Sequence, residues 1–203
     1  GNLTLDGVTV RHGYCVGGCV TPSHSGGGLY NNGGTVTMTN STLSDNYVNI
    51  NGGGLQNNGG TVTVTNSTLS DNTTCLTCGG LGGGIHNAGA GTVTVTNSTL
   101  SGNTTSFGGG GIHNEVLGTV IVTNSTLSGN SSYSFVSGGG GISNYGTATV
   151  TNSLFVRGAY GNNCFKTTNA ASNIAASNIA NDASCGGATQ KTTAEIALGP
   201  LQD

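Results

Sequence analysis

Residues 61–72 read TVTVTNSTLSDN, and close copies of this run recur along the chain. TNSTLSDN stands at Thr39–Asn46 and Thr65–Asn72, TNSTLSGN at Thr96–Asn103 and Thr123–Asn130, and a shortened TNSLF begins at Thr151. The Asn of TNS falls at Asn40, Asn66, Asn97, Asn124 and Asn152, with spacings of 26, 31, 27 and 28 residues. A strong repeat of varying length implies an insertion-tolerant loop in each unit. Strict alternation of β-branched residues in TVTVT is a strand signal.

Each unit has three parts. A Gly run ends in an apolar residue and an Asn (GGGLYN, GGGLQN, GGGIHN, GGGIHN, GGGISN); TVTMTN, TVTVTN, TVTVTN, TVIVTN or TATVTN follows; STLSDN or STLSGN closes the unit. Three short strands and one loop per unit describe a triangular coil. The predicted fold is all-β: a right-handed parallel β-helix of about five to six coils over residues 1–162. A WD-type blade needs four strands and a longer period. NLTLDGVTVRHG at Asn2–Gly13 fits the same register, so the chain starts within a coil. Residues 163–203 lose the pattern and are expected to form an irregular cap or linker.

Every strand ends in Asn. Three columns result: Asn31/Asn57/Asn87/Asn114/Asn144, Asn40/Asn66/Asn97/Asn124/Asn152 and Asn46/Asn72/Asn103/Asn130. Asn tolerates the left-handed backbone of a sharp corner, and its amide can bond copies of itself one coil away. All three columns are therefore expected as inward ladders, with Asn97 bonded to Asn66 and Asn124. The sequons at Asn40, Asn66, Asn72, Asn97, Asn103, Asn124 and Asn130 would then be closed to glycosylation; only that at Asn2 lies off the ladders.

Pleat parity assigns the core. Val36/Met38, Val62/Val64, Val93/Val95, Val120/Val122 and Ala148/Val150 make one wall. Leu43, Leu69, Leu100, Leu127 and Phe155 make the second, and Leu29, Leu55, Ile85, Ile112 and Ile142 the third. The outward positions of the first strand set are Thr35, Thr37, Thr39, Thr61, Thr63, Thr65, Thr92, Thr94, Thr96, Thr119, Thr123, Thr147, Thr149 and Thr151, with Ile121 the one exception. They form a grid spaced about 7 Å along strands and about 4.8 Å across them. His86 and His113 share a column with Tyr30, Gln56 and Ser143, read as outward and polar.

Composition narrows the function. Only 5% of residues are charged, against about 25% in ordinary domains. With 4 Lys+Arg and a net charge of −3 there is no basic patch, which argues against nucleic acid as a partner. No run nears 18 consecutive apolar residues, so no helical membrane span is expected. No leader is recognisable in the sequence. The Gly runs lack the Lys and following helix of a phosphate cradle.

No catalytic constellation, cofactor motif or metal set is legible. Of Asp6, Asp45, Asp71, Glu115, Asp182, Glu195 and Asp203, only Asp45 and Asp71 stack, and Arg11, Arg157, Lys166 and Lys191 lie near the ends. Two histidines make neither a triad nor a metal set. A polysaccharide lyase or hydrolase needs more than this, so the chain is read as non-enzymatic. The cysteines form three local pairs, Cys15/Cys19, Cys75/Cys78 and Cys164/Cys185. They read as disulfides of an oxidising compartment. A redox CxxC would want a helix N-terminus, and zinc two more ligands.

GGGIHN followed by GTVTVTNSTLSGN resembles the bacterial surface proteins with Pmp-like parallel β-helix repeats. The terminal LGPLQD looks like the opening of a segment that follows such repeats and precedes a cell-surface anchor. The resemblance implies a pectin-lyase-like β-helix, exported, and part of a larger adhesin-like protein, of which this chain would be a portion. Function is thus expected to be structural or adhesive and extracellular or at the cell surface. The partners would be copies of the chain, joined by their ends or faces, or a cell-surface glycan. The alternatives are ice binding by the Thr grid, which resembles the ice-binding faces of β-helical antifreeze proteins, and, less favoured, binding or degradation of polysaccharide.

Overall fold

The computed structural model describes residues 1–15, 25–134 and 138–196. The chain winds into a parallel β-solenoid of about six turns. The first sheet stacks Asn2–Asp6, Thr35–Thr39, Thr61–Thr65, Thr92–Thr96, Thr119–Thr123, Thr147–Thr151 and Ala171–Ile174. The register is that of the repeat, with Val62 beside Val93 and Thr63 beside Thr94. The third sheet stacks Leu29–Asn32, Leu55–Asn58, Ile85–Ala88, Ile112–Asn114, Gly139–Asn144 and Asn162–Lys166. The second contains the Thr-Leu-Ser strands, among them Thr68–Ser70 and Thr99–Ser101. It also holds two-residue strands just past the third corner, such as Thr73–Thr74 and Thr104–Thr105, which the sequence reading leaves in the loop.

All three apolar walls face inward. Met38, Leu43, Leu55, Val62, Leu69, Ile85, Leu100, Ile112, Leu127 and Phe155 are fully buried in one cluster. Each coil places an apolar side chain of similar shape at the same height, as Leu69 lies beside Leu43 and Leu100, with exchanges such as Met38 beside Val64 and Phe155 beside Leu127. The Gly runs let neighbouring coils approach closely. A side chain at Gly53 would run into the carbonyl of Gly83 in the next coil.

The corners differ from expectation in one respect. Two of the Asn columns are inward ladders. Asn31 donates to Asn57 (2.8 Å), Asn57 to Asn87 (2.8 Å), Asn87 to Asn114 (2.8 Å) and Asn114 to Asn144 (2.8 Å). Asn46 donates to Asn72 (2.8 Å), Asn72 to Asn103 (2.9 Å) and Asn103 to Asn130 (2.9 Å). The Asn40/Asn66/Asn97/Asn124/Asn152 column is exposed instead. These five residues hold the left-handed turn, with φ between 49° and 51°. That turn swings the Asn side chain out and brings the next residue in. Ser41, Ser67, Ser98, Ser125 and Ser153 are buried there as a hydroxyl ladder. The backbone N–H of each of the first four bonds the Ser Oγ of the next coil, at 3.1 Å for Ser41 to Ser67 and 3.2 Å for Ser98 to Ser125, and that of Ser153 bonds Asn178 Oδ1 at 2.8 Å.

Beyond residue 162 the coil continues. Asn162–Lys166, Ala171–Ile174 and Ile179–Ala180 add to the third, first and second sheets in turn. Cys164 and Cys185 are disulfide-bonded across this last coil.

Candidate functional site

The Thr grid is present as a solvent face. Thr35, Thr61 and Thr147 are exposed, and Thr37, Thr39, Thr63, Thr65, Thr92, Thr94, Thr96, Thr119, Thr123, Thr149 and Thr151 half-buried, on five strands in continuous register. Ile121 interrupts the middle column and is 37% exposed. The outward Thr42, Thr68, Thr99 and Thr126 extend the hydroxyl surface around the Asn40 corner onto the second sheet. This face can offer hydroxyl and methyl groups at fixed spacings and almost no charge.

Because the Asn40 column faces solvent, the sequons at Asn40, Asn66, Asn97 and Asn124 are accessible, against the expectation from sequence. Those at Asn72, Asn103 and Asn130 are buried in the ladder.

Cys75 and Cys78 form a disulfide within the loop that follows Thr73–Thr74. Cys15 ends the strand Tyr14–Cys15 in the first coil, in register with Val48 and through it Thr74; Cys19, and with it the pairing of these two, lies outside the described residues, as does LGPLQD. Asp45 and Asp71 stack on a second column of left-handed residues, both at φ 54°. Partial burial and the neighbouring Asp45 charge raise the Asp71 carboxyl above its ordinary value.

The second concentration of chemistry is the histidine column, which is not outward and polar as the alternation suggests. Tyr30 is exposed, but Gln56, His86, His113 and Ser143 are buried. The cover comes from the turns after the Asn31 ladder. The first two coils turn with Asn-Gly (Asn32-Gly33, Asn58-Gly59); the third uses Ala88-Gly89-Ala90, the fourth Glu115-Val116-Leu117 and the fifth Tyr145-Gly146. Glu115 reaches back one coil, placing Oε1 3.1 Å from His86 Nε2 and accepting the Gly89 N–H at 3.4 Å. The separation from His86 is that of an ion pair, although the ring N–H is not aligned as a hydrogen bond. The other ring nitrogen, Nδ1, lies 2.6 Å from Gln56 Oε1. Contact with His86 holds the Glu115 carboxyl below its usual range, against the opposing effect of burial.

His86 stacks on His113 (5.3 Å), His113 tilts against Tyr145 (5.2 Å), and Tyr145 against Phe165 (5.7 Å), an aromatic stack running along the solenoid axis. Burial, then the His86 charge, pushes His113 down to about 3, so its ring is neutral near pH 7. Beside it opens a cavity of about 280 Å³ lined by Gly89, His113, Glu115, Val116, Leu117 and Tyr145. Among the described residues no group of three His, Cys, Asp or Glu side chains is placed to share a metal ion. The signal for this site in the sequence is the Glu115-Val116-Leu117 turn, the one glycine-free turn among the five at this corner.

No family model, curated protein or solved structure matches this chain.

Proposed function

We propose that the chain is a non-catalytic, extracellular structural or adhesive β-helix whose copies add end to end into a fibre or sheath. The hydroxyl face on the first and second sheets is the contact surface this rod presents to its surroundings. The observation that carries the reading is the continuous register of five Thr-bearing strands, interrupted in residue type only at Ile121, an ordered and nearly uncharged surface. Large regular faces of one chemistry suit repeated contacts with another surface. The coils stack through parallel backbone pairing that continues from Asn2–Asp6 to Ala171–Ile174, so addition of a further copy extends bonding the fold already uses. The disulfides Cys75–Cys78 and Cys164–Cys185 support an oxidising location. An adhesin-like surface protein of the kind the repeats resemble would use such a rod.

Ice binding is the second reading, favoured by the two regular spacings of the Thr grid, about 7 Å and about 4.8 Å. Negative-stain electron microscopy of purified protein separates the two. Filaments one solenoid wide support the structural role. Monodisperse particles whose solution shows thermal hysteresis support ice binding and overturn the first reading. Release of unsaturated or reducing ends from polyuronate would overturn both.

A further inference from the structure

We propose that the cavity beside His113 binds a single neutral sugar ring, a ligand class that deepens the adhesive reading and rests on it. The site is built where the repeat departs from its own pattern. A two-residue Asn-Gly turn suffices to cross this corner, yet the fourth coil spends Glu115, Val116 and Leu117 on it. The coil-stacking ladder does not need these residues: Asn114 bonds Asn144 as its counterparts bond theirs. Val116 and Leu117 are 70% and 73% exposed, in a chain whose surface is otherwise mostly Thr, Ser and Asn.

The lining defines the ligand. Val116, Leu117 and the Tyr145 ring supply apolar walls, which suit the C–H face of a pyranose. The Glu115 carboxylate supplies strong acceptors for its hydroxyl rim. His113 lines the cavity with its neutral ring, while its Nδ1 is enclosed in the fold. No Lys or Arg lines the pocket, so it offers no permanent cation to a uronate or phosphate, and the Glu115 carboxylate is engaged by His86 and the Gly89 N–H. At about 280 Å³ it lies at the small end of ligand pockets and fits one ring.

The test uses the whole chain and its carbon–proton NMR spectrum. Methyl glycosides of glucose, galactose, mannose and N-acetylglucosamine are titrated singly, alongside galacturonate and choline. The expected result is saturable shifts of Tyr145, Val116 and Leu117 with at least one neutral glycoside, at a Kd of about 1 mM, the weak end of the affinity scale. Glu115→Gln should weaken that binding tenfold or more. Because Glu115 also contacts His86, the exposed double variant Val116→Ser/Leu117→Ser is measured too; it should keep the wild-type spectrum elsewhere and also weaken binding about tenfold. Shifts produced only by choline or only by galacturonate overturn the ligand class. Glycoside shifts confined to Thr37, Thr63 and Thr94 overturn the pocket while leaving the adhesive face standing. No shift with any probe, from protein that still forms filaments, overturns the pocket alone.

Discussion

Asn72 donates both its side-chain amide (2.9 Å) and its backbone N–H (3.1 Å) to the carboxamide oxygen of Asn103. The same amide also reaches the carbonyl of Leu43 at 2.9 Å. One buried side chain thus joins three coils, and the pattern repeats from Asn46 to Asn130.

Asn103→Ala removes the acceptor of the Asn72 backbone N–H and the donor to the Leu69 carbonyl, all fully enclosed. Each group left without a partner costs about 1–3 kcal/mol, so the variant should lose roughly 3 kcal/mol. Asn97→Ala acts differently. Asn97 is exposed, and only its left-handed φ of 50° is at stake. Its cost should be about 1 kcal/mol, with Asn97→Gly close to neutral. Thermal unfolding of the three variants measures the order.

The Ser ladder yields a parallel contrast. Ser98→Ala strips the backbone N–H of Ser67 of its acceptor and the Thr96 carbonyl of a donor. A loss of about 1–3 kcal/mol is expected for the buried N–H. Thr94→Ala, on the solvent face, should stay within about 1 kcal/mol. Urea unfolding midpoints at equal m-value decide between them.

These contrasts show where the sequence is legible. Period-two alternation sets the facing of Val62, Val64 and Leu69, because a strand has only two faces. Parity ends at a corner, where Asn66 and Ser67 are adjacent small polar residues and the left-handed turn decides which points inward. The burial of His86 is equally hidden. It depends on a turn that begins 29 residues later, at Glu115, and alternation along Ile85–Ala88 carries no trace of that cover.

Acid should act through His113. Its folded-state value, about 3, lies below the ordinary histidine value of 6.5. The unfolded chain therefore binds a proton that the folded chain refuses between these limits. Stability from the neutral ring is complete above pH 6.5 and falls as pH drops toward 3. His113→Gln, which installs the residue found at position 56 of the same column, should flatten that part of the stability–pH curve. An unchanged slope would show that His113 is not the group responsible.

Asp71 works in the opposite sense. Its carboxyl is raised by burial and by Asp45, so its protonated form favours the fold. That stability is present below the ordinary value of 3.8 and is lost as pH rises through the raised folded value. At neutral pH the ionised pair opposes folding. Asp71→Asn keeps a residue suited to the left-handed backbone and removes the charge. It should raise the melting temperature at pH 7, with the gain vanishing at pH 3 and shrinking in high salt.

The most direct test of end-to-end assembly is small-angle X-ray scattering over a concentration series. Growth through the ends predicts a constant cross-sectional radius, that of one solenoid, while the length increases with concentration. A particle that keeps the length of one chain at every concentration, or one whose cross-section grows by side-by-side packing, would contradict the account.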